Sequence, residues 1–396
     1  MVKLEKALYG LKQAGRQWFQ RLQAHLTKHG FTNSQNSPCI FTKMHGKEPA
    51  ALAVYVDDIC ITGTTPGIQQ TLKIIALEFE MKDMGPSKFI IGLELKYFNQ
   101  GIFLHQRGYI QQALKKYGLE AAKEVPTPLE VRNLEPKRDI YGPRQQGETS
   151  LDTQQHPYLE IIGTLTYIAK QTRPDISFAL SLLARHSHDP TMRHWKAALR
   201  VLRYLKGTQN LGLLYRYKTS MELICFTDAG YQSDLTSSTS QTGYCFLMCG
   251  APISYASKRQ RTPAVSSNHA EILALHDASC ECIWLRRTIS DTLQGISTPP
   301  INSPTTIHED NQACITQMEK GYVATENLKH IAPKFFHTHT LIKTKEITLS
   351  YIQSKQNTAD IFTKSLGPAP HKICVERLGL ITRDTLTARL QDDSRL

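Results

Sequence analysis

Two groups of carboxylates stand out on a basic chain: the adjacent pair Asp57 and Asp58 within LAVYVDDICITG, and four acids spread through the C-terminal part, Asp228, Glu271, Asp310 and Asp360. Hard divalent cations such as Mg²⁺ take oxygen ligands from carboxylates and complete their shell with substrate phosphates. Both groups are therefore candidates for metal-dependent chemistry on nucleic acid. Around the pair, the apolar runs 52–56 and 59–61 predict a β-hairpin with an acidic tip. A merely solvated turn accounts for the same two residues, since Asp is a favoured turn former.

The second group depends on the elements that carry it. Asp228 ends the alternating run 223–227, with Leu223, Cys225 and Thr227 on one face and Ile224, Phe226 and Asp228 on the other. It is expected at the mouth of a strand, on an otherwise apolar face. Glu271 opens an apolar pattern that continues through Ala278, Ile283 and Leu285 as a long helix. Asp310 lies between a short strand, 305–308, and the helical run 311–315; Asp360 follows a strand, 347–352, and a turn, at the start of 358–362. Taken singly, Asp310 and Asp360 also suit helix N-termini, Glu271 a solvated helix face and Asp228 a strand terminus. Those readings leave unexplained four acids in the order strand, helix, strand, helix, able to fold around one site. Two divalent ions held there would clamp the attacking water and the leaving oxygen of an in-line phosphodiester displacement.

Composition agrees with a nucleic-acid partner. Lys and Arg number 47 against 35 acidic residues in 396, a net charge of +12, and phosphate contacts from such charge supply sequence-independent affinity. A basic surface also serves solubility alone. No apolar stretch reaches membrane-spanning length, and the N-terminal residues lack a signal or transit pattern, so no membrane partner is expected. The nine scattered Cys read as reduced thiols of a cytoplasmic or nuclear protein.

The predicted organisation has four parts and a tail. Residues 1–125 contain helices at 7–29, 71–79 and 109–117, the acidic hairpin, and strands at 89–98 and 101–105. Residues 126–157, polar and proline-bearing, read as a partly disordered linker. Helices at 158–171, from Pro174, and from Pro190 to the Gly207 stop make a helical segment, 158–217. A row of basic residues on the last helix, Arg193, Lys196, Arg200, Arg203 and Lys206, is either a solvated face or a track for a phosphate backbone. A mixed α/β domain follows at 218–366, then a tail, 367–396, in which Ile373, Val375, Leu378 and Leu380 are candidates for a short packed segment.

Ten collinear blocks carry a family resemblance: KALYGLKQAGRQWF (6–19), YVDD (55–58), FEMKDMGPSKFIIGLEL (79–95), TRPDISFALSLLARH (172–186), VLRYLKGT (201–208), TDAGY (227–231), HAEILAL (269–275), EDNQACI (309–315), KHIAPKFF (329–336) and TADIFTKSL (358–366). The chain resembles the Pol polyprotein of copia-type long-terminal-repeat retrotransposons, from the C-terminal half of the reverse transcriptase through the ribonuclease H domain. The resemblance implies an α/β (α+β) chain: a truncated polymerase palm and thumb, a helical connection at 158–217, and a ribonuclease H-like mixed sheet with flanking helices.

It further implies that Asp57 and Asp58 are palm metal ligands, and that Lys12 and Arg16 lie in a helix start facing template and nucleotide. Asp228, Glu271, Asp310 and Asp360 match the four nuclease carboxylates, with two Mg²⁺ ions per site, and His330 is a candidate for proton transfer to the leaving group. Arg200, Arg203 and Lys206 are candidate nucleic-acid contacts. The implied partners are RNA–DNA hybrid and template–primer, with the remainder of Pol or a second copy, inside a virus-like particle if the element is intact. A third palm Asp belongs upstream of residue 6 in this family, so polymerase activity is expected to be absent from the isolated chain. Gly15 replaces the usual proline and His269 the usual acid two residues before Glu271, as in a decaying copy. A non-catalytic nucleic-acid-binding remnant is the alternative to a Mg²⁺-dependent nuclease.

Overall fold

The computed structural model describes residues 8, 10–133, 135, 138–217, 219–234, 236–293, 303–322, 331–383 and 385. They fall into two compact units, Met1–Ile91 with Ile283–Asn302, and Gly92–Cys282 with Ser303–Leu396.

The smaller unit packs the helices Ala14–Lys28 and Thr65–Ala76 against an antiparallel sheet of Thr32–Asn33, Ile40–His45, Glu48–Tyr55 and Asp58–Gly63. Leu22 and Leu26 on the first helix and Ile75 on the second share a core with Phe31, Phe41, Leu52 and Val54. The second helix starts earlier than its apolar spacing predicts, because Thr64 accepts a hydrogen bond from the Gly67 N–H at 3.3 Å and Pro66 occupies the first turn. Near its C-terminal end the long helix Ser267–Leu293 contributes Asp291 to this unit, where the Ser34 hydroxyl and Asn36 amide donate to Oδ2 at 2.7 and 2.9 Å.

The larger unit contains two sheets and a helical cluster. In one sheet, antiparallel neighbours run Leu380–Thr382, Leu211–Arg216, Gly101–His105, Leu93–Phe98. That sheet takes strands from three predicted parts of the chain, so the stretch 92–125, the segment 158–217 and the tail share one unit, while residues before 92 belong to the other. The tail is integral to the core: Val375, Leu378 and Leu380 are buried beside Leu213, Cys245 and Phe362, while Ile373 is exposed.

The helices Arg107–Lys116, Tyr158–Gln171, Ser177–Leu183 and Met192–Gly207 bury one apolar cluster that includes Ile110, Ile161, Leu165, Leu180, Val201 and Leu205. Residues 126–157 correct the expected linker. They form no helix or strand among the described residues, yet Leu129, Tyr141 and Leu151 enter this same cluster. Arg132 and Asp139, both nearly inaccessible, pair through Nη2 and Oδ2 at 2.5 Å. A polar strap can be ordered when its few apolar residues reach a core and its backbone finds donors. Arg193 supplies such donors, giving Nη1 to the Asp139 carbonyl at 2.8 Å and Nη2 to Glu148 at 2.9 Å. Limited proteolysis of the native protein should therefore leave 126–157 uncut under conditions that nick exposed loops; rapid cleavage there would restore the disordered-linker reading.

The second sheet has the order Ala251–Arg259, Gln241–Met248, Ile224–Gly230, Thr305–Glu309, Ile347–Tyr351, antiparallel among the first three strands and parallel across the last two pairs. It is the predicted mixed sheet with flanking helices. Two helices, Gln312–Lys320 and Ala332–Lys343, lie between its last two strands in sequence, where the pattern suggested one. No helix among the described residues is long and apolar enough to cross a membrane, and all nine cysteines are free thiols.

Candidate metal centre

The parallel register aligns Ile307 with Cys225 and His308 with Phe226; extended by two residues, it brings Asp310 beside Asp228. Asp228 lies two residues inside its strand rather than at its mouth, because the strand continues to Gly230. Glu271 enters from the first turns of the long helix. Ala270 and Ala274 on that helix form a buried cluster with Ala229, and such small side chains permit close approach of helix and strand.

Asp360 is held over the sheet by the 3₁₀ turn Thr358–Phe362. Asn357 caps that turn by accepting from the Ala359 N–H at 3.0 Å, and its amide donates to the Thr227 carbonyl at 2.8 Å. The strand residue opposite Asp228 is Gly243. A Cβ at that position would stand 2.7 Å from Thr363 Cγ2 and 2.8 Å from Phe362 Cβ, so only glycine lets the turn lie this low.

The four predicted acids do converge, in two overlapping sets. One ligand oxygen each from Asp228, Asp310 and Asp360 lie within 4.8 Å of one another, and so do oxygens of Glu271, Glu309 and Asp310. Glu309 is a fifth acid that the sequence reading passed over. Its signal was parity: Thr305, Ile307 and Glu309 alternate inward along their strand. Burial lifts Glu271 and Glu309 well above the ordinary carboxyl range, reinforced by their acidic neighbours. Burial likewise raises Asp228, opposed by Lys364 and Thr363 and assisted by Asp310. Asp360 is pushed up to about 6, by burial first and then by Asp228.

Lys364 also occupies this cluster. Its Nζ donates to Asp360 Oδ1 at 2.6 Å and lies 3.3 Å from Asp228 Oδ1, while the Thr363 hydroxyl donates to Asp228 Oδ2. The ammonium supplies positive charge between Asp228 and Asp360. Its side chain is 43% exposed, so the flexible stem has solvent to withdraw into. No ion pair among the described residues reaches the Glu271, Glu309 and Asp310 side, where Glu271 Oε2 and Glu309 Oε2 are buried without a hydrogen-bond donor. Orphaned buried carboxylate oxygens are expensive unless a cation meets them. The donor set, all hard oxygen, fits Mg²⁺.

The other predicted site residues are placed elsewhere. Asp57 and Asp58 lie exposed at a hairpin tip, where Tyr55 pairs with Asp58 and Val56 takes the left-handed conformation, φ 52°, unusual for a β-branched residue. Neither joins a potential metal-binding group of three among the described residues. Lys12 and Arg16 are exposed at the start of the first helix. Arg200, Arg203 and Lys206 bond to Glu130, the Lys123 carbonyl and the Ala122 carbonyl at 3.2, 2.7 and 2.7 Å, fastening the preceding segment to their helix. His330 lies outside the described residues. His269, in place of the usual acid, is buried, with Nδ1 accepting the Val265 N–H at 3.1 Å at the entrance to the long helix.

Residues 1–131 match the family described as reverse transcriptase (RNA-dependent DNA polymerase). Over 379 residues, 96% of the chain, 32% are identical to the retrovirus-related Pol polyprotein from transposon RE1 of Arabidopsis thaliana, of which the chain spans 25%. A transposon Ty5-1 protein of Saccharomyces cerevisiae is 32% identical over 279 residues, 69% of this chain and 87% of that protein. The chain belongs to the copia-type retrotransposon Pol family. Among solved structures, LC11-RNase H1 in complex with an RNA/DNA hybrid is similar over 36% of this chain and 94% of that one, at 16% identity and a TM-score of 0.27. Within the copia-type Pol chain, residues 1–131 are the reverse-transcriptase stretch, and the acids gather on the later sheet.

Proposed function

We propose that the C-terminal sheet of this Pol chain is a Mg²⁺-dependent endonuclease that cuts the RNA strand of RNA–DNA hybrids. The observation that carries this reading is the convergence of five carboxylates from four separate elements, two of them with buried oxygens that no donor meets. Asp310, common to both sets, would be shared between two ions; Asp228 and Asp360 would complete one set, Glu271 and Glu309 the other. When bound, Mg²⁺ supplies the charge that stabilises an in-line displacement at phosphorus. The chain's own residues fix where that charge sits: Gly243 and Asn357 set the height of Asp360, and Thr363 orients Asp228. A-form shape and 2′-hydroxyls, rather than base identity, would select the substrate.

A labelled hybrid incubated with the full chain in Mg²⁺ should be cleaved, and EDTA should stop the reaction. One observation favours the second reading, a non-catalytic nucleic-acid-binding remnant: Lys364 already neutralises Asp228 and Asp360. Salt-sensitive hybrid binding without cleavage would establish that reading and end the first.

Proton competition gives a further expected result. Asp360, raised to about 6, contributes stability to the metal-free fold that is complete below its unfolded value, about 3.9, and is lost as pH rises through 6. Metal binding requires the deprotonated form. The thermal shift produced by Mg²⁺ should therefore be large at pH 8 and shrink towards zero at pH 5; a shift independent of pH would remove these carboxylates as ligands.

A further inference from the structure

We infer that His276, Cys280 and His337 form a metal-ion site of their own, suited to Zn²⁺ and distinct from the carboxylate cluster. His276 and Cys280 are four residues apart on the long helix Ser267–Leu293 and so share one face, a turn apart. His337 reaches them from the helix Ala332–Lys343. One ligand atom from each of the three lies within 4.8 Å of the other two. Cys280 Sγ and His276 Nε2 are 3.7 Å apart. A tetrahedral ion with Zn–S of about 2.3 Å and Zn–N of about 2.05 Å requires those atoms to be separated by about 3.6 Å. The two imidazoles meet edge to face, with centroids 5.3 Å apart and planes at 79°, so their rings do not stack across the space that an ion would fill.

The donor chemistry points the same way. Two imidazoles and a thiolate select a borderline-soft ion, whereas the all-oxygen cluster selects a hard one. Cys280 and His337 are exposed, which gives an ion access from solvent. Asp277, the adjacent carboxylate, pairs with Lys258 at 3.2 Å, and its charge acts on both His276 and Cys280. Three protein ligands leave a fourth position for water or an external donor. An ion here clips the helix that carries Glu271 to the helix Ala332–Lys343, joining two elements far apart in sequence. Without an ion, the same contacts amount to a Cys280–His276 hydrogen bond and an edge-on ring contact.

The test uses the full chain, with Co²⁺ as a spectroscopic probe and Zn²⁺ as competitor. Stoichiometric Co²⁺ should produce thiolate-to-cobalt charge-transfer absorption in the near ultraviolet, and Zn²⁺ should bleach it. Cys280→Ser should abolish the band. His337→Ala should weaken Zn²⁺ binding by more than about a hundredfold, since losing a direct ligand costs more than losing the groups behind one. Both residues are exposed, so the metal-free variants should melt with the parent chain, while Zn²⁺ should raise the melting temperature of the parent only. Asp228→Asn should keep the cobalt band. A band that survives Cys280→Ser, or Zn²⁺ affinity unchanged by His337→Ala, would overturn the proposal. So would a band lost in Asp228→Asn, which would place the ion at the carboxylates.

Discussion

Asp228→Asn is expected to lower hybrid cleavage by about a thousandfold or more while leaving the metal-free protein at least as stable as its parent. Asp228 is almost fully buried, and burial together with Asp310 disfavours its charge. An amide of the same shape still accepts from the Thr363 hydroxyl, which now donates to Oδ2, and it relieves repulsion among the clustered acids. What it cannot do is bring negative charge to a cation. The variant should therefore lose the Mg²⁺-induced thermal shift along with cleavage. Single-turnover cleavage of a labelled hybrid, paired with melting curves with and without Mg²⁺, reads both effects. Undiminished cutting would remove Asp228 from the machinery, and a collapsed melting temperature without metal would make its role structural.

The largest stability effect is expected at Arg173. Its Nε and Nη2 donate to the two oxygens of Asp175 at 2.9 and 2.7 Å, its Nη1 and Nη2 reach the Thr208 carbonyl and hydroxyl at 3.0 and 2.7 Å, and the Tyr204 hydroxyl donates to Asp175 at 2.6 Å. Both charged side chains are wholly inaccessible to solvent. Burial alone would raise the Asp175 carboxyl, yet the guanidinium and the Tyr204 hydroxyl hold it below its ordinary range.

Arg173→Ala strands that carboxylate in the core, at a cost of about 3–5 kcal/mol. For a unit of this size the loss corresponds to a fall in melting temperature of about 10 °C. Replacing both partners, Arg173→Met with Asp175→Leu, should recover most of it, because the penalty arises from the unpaired charge more than from the lost attraction. Urea and thermal melts of the single and double variants decide the matter. A single variant within about 2 °C of the parent, a range typical of surface changes, would show that the pair contributes little.

Much of the candidate site was legible because its cues are local. Alternation from Leu223 to Asp228 fixed the strand and the face, and apolar spacing after Glu271 fixed the long helix. Ten ordered motifs identified the family before any contact was visible. Lys364 was in plain view within TADIFTKSL, but nothing in a linear motif says that its ammonium lies between Asp228 and Asp360. Glu309 went unnoticed beside Asp310, although its inward parity with Ile307 marked it as buried.

The sequence by itself determined the order and type of most elements, the acids they carry and the family, since period, turn chemistry and motif spacing are properties of neighbouring residues. Only the tertiary structure decided which distant strands share a sheet, that the polar stretch 126–157 is a packed strap, and that Arg200, Arg203 and Lys206 reach Glu130, Lys123 and Ala122 of the preceding segment. The physical reason is that a hydrogen bond or ion pair between distant segments leaves no periodic trace. A basic helix face has the same spacing whether it meets water, nucleic acid or another stretch of its own chain.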